Sequence, residues 1–400
     1  MDCRADERAR QELHGLVNAD GWRSPRRSAR PTAPAGASAV ARPLLIGLVA
    51  VALVAGVAGG LLRAGVVLPS TQGAEWLGRA ALDHAALMIG AFLGTVVGVE
   101  RAVALKLRAA FAAPFASALG GVCLLLGFDA AGAALGVVAA AAFSLASAVV
   151  VSRQRAPHTV LLLVGALAWL VGNALFAAGR SSTAVLPWWF AFLLLTIAAE
   201  RLEMTRLMRR RPEAEVSLVF VLALLLAGAA ASSAAIARAG VLFGAALTLL
   251  ALWLAVYDIA RRTVHADGLA RYMAVCLLAG YAWLGVAGVA WAATDLGLPL
   301  RDSALHALGL GFIVSMMMAH APVILPAVAR VKLHFGGWFY LPLALLHGSL
   351  LVRLAGGYAD PRWRADGAAL NALALALFGA VVVGSAVAAR RRGGSAVASN

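Results

Sequence analysis

From Pro43 onward the chain is a succession of apolar runs of about 20 residues, each long enough to cross ~30 Å of hydrocarbon as a helix, separated by short charged or turn-forming segments. A chain of this kind has few ways to fold. Lipid offers no hydrogen-bond partners, so the backbone satisfies itself inside helices or inside a closed barrel. The runs are long, rich in Ala and Leu, and lack the strict alternation of barrel strands, which selects helices. The pattern predicts an all-α, polytopic transmembrane helical bundle of about twelve spans: 43–62, 82–99, 109–127, 130–151, 159–178, 184–199, 216–237, 240–257, 273–294, 302–325, 338–356 and 368–389. Residues 1–42, Arg-rich and then rich in Pro, Ala and Ser, read as a disordered tail. Residues 43–389 form the transmembrane domain and 390–400 a second polar tail. The pair Arg26-Arg27 stands well ahead of the first apolar run, which lacks a small-residue cleavage site, so that run reads as a span and not as a cleaved signal.

Charge fixes the expected direction. A net charge of +15 would suit nucleic acid if it were clustered, but the 34 Lys and Arg residues lie in short runs between spans, so the bilayer is the expected partner and nucleic acid is not. With the N-terminus inside, 26 of the 34 fall on one side in alternate loops. Basic residues accumulate on the cytoplasmic side, which predicts a multi-pass protein of the cell inner (plasma) membrane with both termini cytoplasmic. Trp188 and Trp189 then sit at the outer boundary and Trp338 and Tyr340 at the inner one, the headgroup depth that amphipathic rings favour. Cys3, Cys123 and Cys276 share no disulfide or metal spacing. No nucleotide loop, Ser/His/Asp arrangement or Cys pair is present, so independent enzymatic chemistry is not expected.

Histidine is the informative residue type, because a buried imidazole in lipid needs a partner and is the commonest neutral metal ligand. Four lie in predicted spans. His84 opens the second and His306 the tenth, at matching depth near the outer ends. His320 follows fourteen residues along the tenth span, which in an unbroken α-helix is ~21 Å deeper and about 40° round the axis. His347 lies near the middle of the eleventh. Asp302 precedes His306 by one helical turn and either fixes the tautomer of a ligating imidazole or caps the helix. Met316-Met317-Met318 reads as packing filler. His84 and His306 are the expected cofactor ligands, with His320 and His347 as further candidate metal ligands.

The stretch His306-Ala-Leu-Gly-Leu-Gly-Phe-Ile-Val-Ser-Met-Met-Met-Ala-His320, followed by Arg330 and Lys332, resembles the late-helix histidine motif of the NnrS family, and His84-Ala-Ala-Leu-Met-Ile-Gly-Ala-Phe-Leu-Gly-Thr is similar to that family's second span. The resemblance implies a twelve-span protein that contains haem and copper and serves in nitric oxide stress. The Glu100-Arg101 exit from the second span and the lack of a second histidine beside His84 depart from the family pattern. Haem-copper oxidase subunits also hold a haem between their second and tenth spans, but the chain has no His-His pair, no His-x-His and no His followed four residues on by Tyr in a span, so oxygen reduction has no residues to carry it.

The competing reading is a secondary transporter, since twelve spans with a basic central loop look like two six-helix halves. The second and sixth spans both exit on Glu-Arg, at Glu100-Arg101 and Glu200-Arg201. Both glutamates are expected to pair with neighbouring arginines at the membrane edge.

Overall fold

Turn-forming residues cut the apolar runs into helices. Gly297, for example, adopts φ +96° just past the ninth span, a left-handed conformation that ends a helix without a Cβ clash. The computed structural model describes residues 35–68, 75–205, 212–329 and 331–397. Among them there is no strand, and twelve helices are long and apolar enough to cross a membrane. They are α1 (Pro43–Arg63), α2 (Ala86–Leu105), α3 (Arg108–Leu125), α4 (Asp129–Arg153), α5 (Pro157–Ala177), α6 (Ser182–Met204), α7 (Glu213–Ser233), α8 (Ala239–Tyr257), α9 (Gly268–Asp295), α10 (Arg301–Pro326), α11 (Gly337–Ala359) and α12 (Pro361–Arg391). The protein is an all-α, multi-pass membrane protein.

The chain divides into two units after Leu44. Of Met1–Leu44, the described part is the start of the helix that begins at Ala35; Leu45–Asn400 holds the bundle. Residues 35–42, assigned by composition to the disordered tail, are helical, while the rest of that tail lies outside the described residues. At the other end the last helix continues to Val397, into the segment expected as a tail. Helices also outrun their hydropathy limits elsewhere: α2 ends at Leu105 and α12 begins at Pro361. Polar residues at a helix end stay in the headgroup zone, so a helix continues where its apolar signal stops.

Consecutive spans pack side by side, most extensively α5 on α6 and α8 on α9. Helices α6 and α10 are the most enclosed and α12 the least. Phe192, Leu194 and Leu195 of α6 are wholly buried, while Val54, Leu145, Phe220 and Val383 on more peripheral spans are exposed, as side chains that meet lipid must be. Odd- and even-numbered spans run in opposite directions, so α2, α6, α8 and α10 all start at one end of the bundle, called here the His84 end.

Candidate metal-binding site

Three departures from α-helical winding converge at the His84 end. A π-helical stretch, Ala86–Gly94, follows just after His84. A second, Ala307–Val314, begins at the residue after His306, and a third, Val352–Gly356, contains Arg353. π turns inside α-helices recur at functional sites, where the wider winding aims side chains in directions a regular helix does not offer.

Each imidazole is held by its Nδ1. His84 Nδ1–H donates to the Gly56 carbonyl at 2.7 Å. The ring lies against α1 at Gly60, where a Cβ would stand 2.7 Å from His84 Cε1, so only glycine leaves space for it. His306 Nδ1 lies 3.0 Å from both the carbonyl oxygen and Oδ1 of Asp302, which makes it a donor as well. Both rings therefore carry a proton on Nδ1, and a neutral ring so held keeps its lone pair on Nε2, the tautomer that backbone or carboxylate support gives a ligating histidine. No hydrogen bond engages His84 Nε2 among the described residues. The two ring centroids are 6.4 Å apart at an interplanar angle of 29°.

Arg353 completes the site. It forks onto Asp302, with Nε to Oδ2 at 3.0 Å and Nη2 to Oδ1 at 2.9 Å, and Nη2 lies beside the His306 ring, 3.2 Å from Nδ1 and 3.1 Å from Nε2. Its backbone fits closely against Gly367 of α12, where a Cβ would come within 2.6 Å of the Arg353 backbone nitrogen. The carboxylate and the guanidinium offset one another, so the two imidazoles sit in a formally neutral group. Beside them is a cavity of about 140 Å³ whose lining includes His84, Met88, His306, Leu310, Arg353 and Asn371. Asn371 Nδ2 donates to Ser349 Oγ at 2.6 Å, while its buried Oδ1 has no hydrogen-bond partner.

The other predicted ligands lie elsewhere. His320 is near the opposite end of α10, where Nδ1–H donates to the Met316 carbonyl at 2.7 Å and Nε2 accepts from Arg201 Nη2 at 3.2 Å. Arg201 Nη1 in turn lies 3.7 Å from Asp258 Oδ2, and both residues are buried, 5% and 3% exposed. The Tyr281 hydroxyl faces this pair. His347 accepts from Trp283 Nε1 at 2.9 Å on Nδ1, so its proton is on Nε2, which is buried and unbonded. Met316 and Met318 are buried packing residues, the methyl of Met316 seated against Gly280. Glu100 lies within electrostatic reach of Glu200 and Arg101, and Glu200 within reach of Arg201 and Arg101; Arg201 also meets His320 and Asp258. Among the described residues no three of His, Cys, Asp and Glu gather closely enough to hold a metal ion. Any ion here rests on the two imidazoles plus a donor of another type.

Hydropathy alone does not single out Arg353, which it assigns to the loop charges. The signal was there: Arg353 follows an uninterrupted apolar run within a span, and an intramembrane charge is a functional candidate by default.

A family described as a domain of unknown function (DUF8744) matches residues 42–387. No curated protein matches the chain, and no solved structure does.

Proposed function

The chain belongs to the DUF8744 family, and from that premise we propose that it is a metal-binding membrane protein in which His84 and His306 hold one transition-metal ion. The observation that carries this reading is the pair of rings. A metal bound at about 2.0–2.1 Å by a nitrogen of each of two facing imidazoles sets their centroids roughly 6 Å apart; here they are 6.4 Å apart, with both Nδ1 atoms occupied by protein acceptors. Copper suits the surroundings better than haem. The cavity matches in size one of ~150 Å³ that admits a benzene molecule, well short of a porphyrin. Met88 brings a thioether to the same cavity, and imidazole with thioether is a donor set that copper accepts. Arg353 would release His306 Nε2 to the ion while keeping its fork on Asp302. On this reading the likeness to the NnrS family extends to a metal-holding histidine pair and to a role in nitric oxide stress. The distribution of basic residues puts the His84 end outside an inner membrane; a periplasmic reporter fused after Asp295 is then active and one fused after Arg210 inactive.

The test is metal content. Purified protein loaded with copper and desalted should retain about one ion per chain, lost in His84→Ala and in His306→Ala and kept in His320→Ala. Wild-type protein that stays metal-free, or single variants that keep the ion, would sink the proposal, and a haem Soret band lost in both variants would replace copper with haem. A second reading, a secondary transporter, draws on the buried charges Arg201 and Asp258, which in a membrane interior often mark a coupling site. It gains ground if the protein is metal-free and Asp258→Asn abolishes function at normal membrane level.

A further inference from the structure

A second cavity at the His84 end, about 370 Å³, is larger than the first and more polar in its lining. Arg180 and Arg301 reach into it, and hydroxyls from Ser181, Ser182, Ser232 and Ser233 line it. Three helices begin on its wall: α6 at Ser182, α8 at Ala239 and α10 at Arg301. Each contributes the positive end of its dipole, equivalent to about half an elementary charge, and N–H groups left free by the first turn. The lining carboxylate, Asp295, already accepts from the Val241 backbone N–H at 3.3 Å, at the start of α8. Arg301 Nη2 donates to Ser182 Oγ at 2.9 Å and Arg180 Nη2 to the Ser233 carbonyl at 3.3 Å, which tethers both guanidiniums by one arm and leaves their other donors available. Trp188 Nε1 donates to Ser233 Oγ at 2.6 Å and fixes that hydroxyl.

We propose that this cavity binds an oxyanion, a phosphate or a carboxylate of small size, between Arg180 and Arg301. Two guanidiniums, the Ser182 hydroxyl and three helix N-termini present donors, while Ser232 and Ser233 spend their protons on the Gly228 and Ala229 carbonyls; one engaged carboxylate does not balance the set. Such a set recognises oxygen anions by charge-assisted, forked hydrogen bonds. The volume is at the small end of ligand pockets, which selects an inorganic oxyanion, a short carboxylate or the phosphate of a lipid headgroup over a larger metabolite. Leu186 and Leu305 line both this cavity and the one beside His84 and His306, so the anion sits one side-chain layer from the histidine pair.

The experiment uses metal-free, full-length protein in detergent, so its outcome is independent of the metal reading. Inorganic phosphate is titrated by calorimetry and by the fluorescence of Trp291, which lines the cavity, taken as the difference from Trp291→Phe. Saturable binding is expected, weakened roughly tenfold or more in Arg301→Gln and in Arg180→Gln, with part of the affinity kept in Arg301→Lys. Arg301 begins α10, so if its variants misfold, Arg180→Gln, in the connection ahead of α6, carries the test. Nanodiscs separate the two sources: phosphate binding that is seen in detergent and lost in phosphatidylcholine nanodiscs, whose lipid presents headgroup phosphates, assigns the site to a lipid headgroup, and binding retained there assigns it to a free solute. No saturable binding in any of these media, or an affinity unchanged by both Arg→Gln variants, overturns the proposal.

Discussion

Helix α10 carries a histidine towards each end, and each histidine meets an arginine and an aspartate, yet the two sets are built in opposite ways. At His306 the ion pair is close and forked, with Arg353 on both oxygens of Asp302 at 2.9 and 3.0 Å, and the carboxylate is 29% exposed. At His320 the arginine and aspartate are 3.7 Å apart, the Asp258 side chain is wholly buried, and Arg201 Nε and Asp258 Oδ2 have no hydrogen-bond partner. The first set has good geometry, with Arg353 buried and only the Asp302 side of the pair open, and stands beside a cavity and a second imidazole. The second has poor geometry in a closed place. Geometry therefore marks where a ligand is expected, whereas burial decides what it costs to break a pair, because a charge left alone in the interior has no water to fall back on.

The sharpest way to break this comparison is to neutralise each aspartate in turn. Asp258→Asn leaves Arg201 buried and uncompensated and is expected to cost about 3–5 kcal/mol, more than Asp302→Asn despite the better bonds of Asp302. Thermal unfolding of the two variants in the same detergent decides; an equal or reversed order would show that geometry outweighs burial. Arg353→Lys comes next. An ammonium cannot fork onto the carboxylate, so a loss of roughly 1.5–3 kcal/mol is expected, together with a changed metal affinity, while Arg201→Lys should leave metal binding unaltered.

Gly60→Ala sharpens the comparison from the other side of the His84 ring. Its methyl would press on Cε1, and overpacking of this kind costs about 1–3 kcal/mol or moves the ring. Copper retained after desalting should fall in Gly60→Ala, while the thermal destabilisation caused by Asp258→Asn should be the same in the Gly60→Ala and wild-type backgrounds. The smallest effect is expected from Glu100→Gln and Glu200→Gln. Neither glutamate has a hydrogen bond or close ion pair among the described residues, so membrane insertion and level should match wild type and stability should shift by less than about 1 kcal/mol.

Depth was legible in the sequence and azimuth was not. Counting along apolar runs puts His84 and His306 at the same level, because both stand at the start of spans that begin at one end of the bundle, and the one-turn spacing brings Asp302 to His306. Which way each helix turns its side chains leaves little trace in a run of Ala, Leu and Val that is apolar on all faces. Hence what Arg353 and Gly60 meet at one site, and Arg201 and Asp258 at the other, emerges only when α11, α1, α6 and the end of α8 are packed. The π stretches leave no residue signature either. The expectation that His320 lies nearly in line with His306 holds for unbroken α winding, and Ala307–Val314 intervenes between them.

That intervening stretch has a mechanical consequence. Wide turns joined to tight ones behave like a change of thread along a screw: if Ala307–Val314 rewinds to α geometry, the two ends of α10 must rotate against each other. Because Asp302 and His306 are clamped by Arg353 at one end and His320 is clamped by Arg201 at the other, such a rewinding registers as torque on both clamps at once. Any such rewinding would act on the two polar sites together, as on two ends of one shaft.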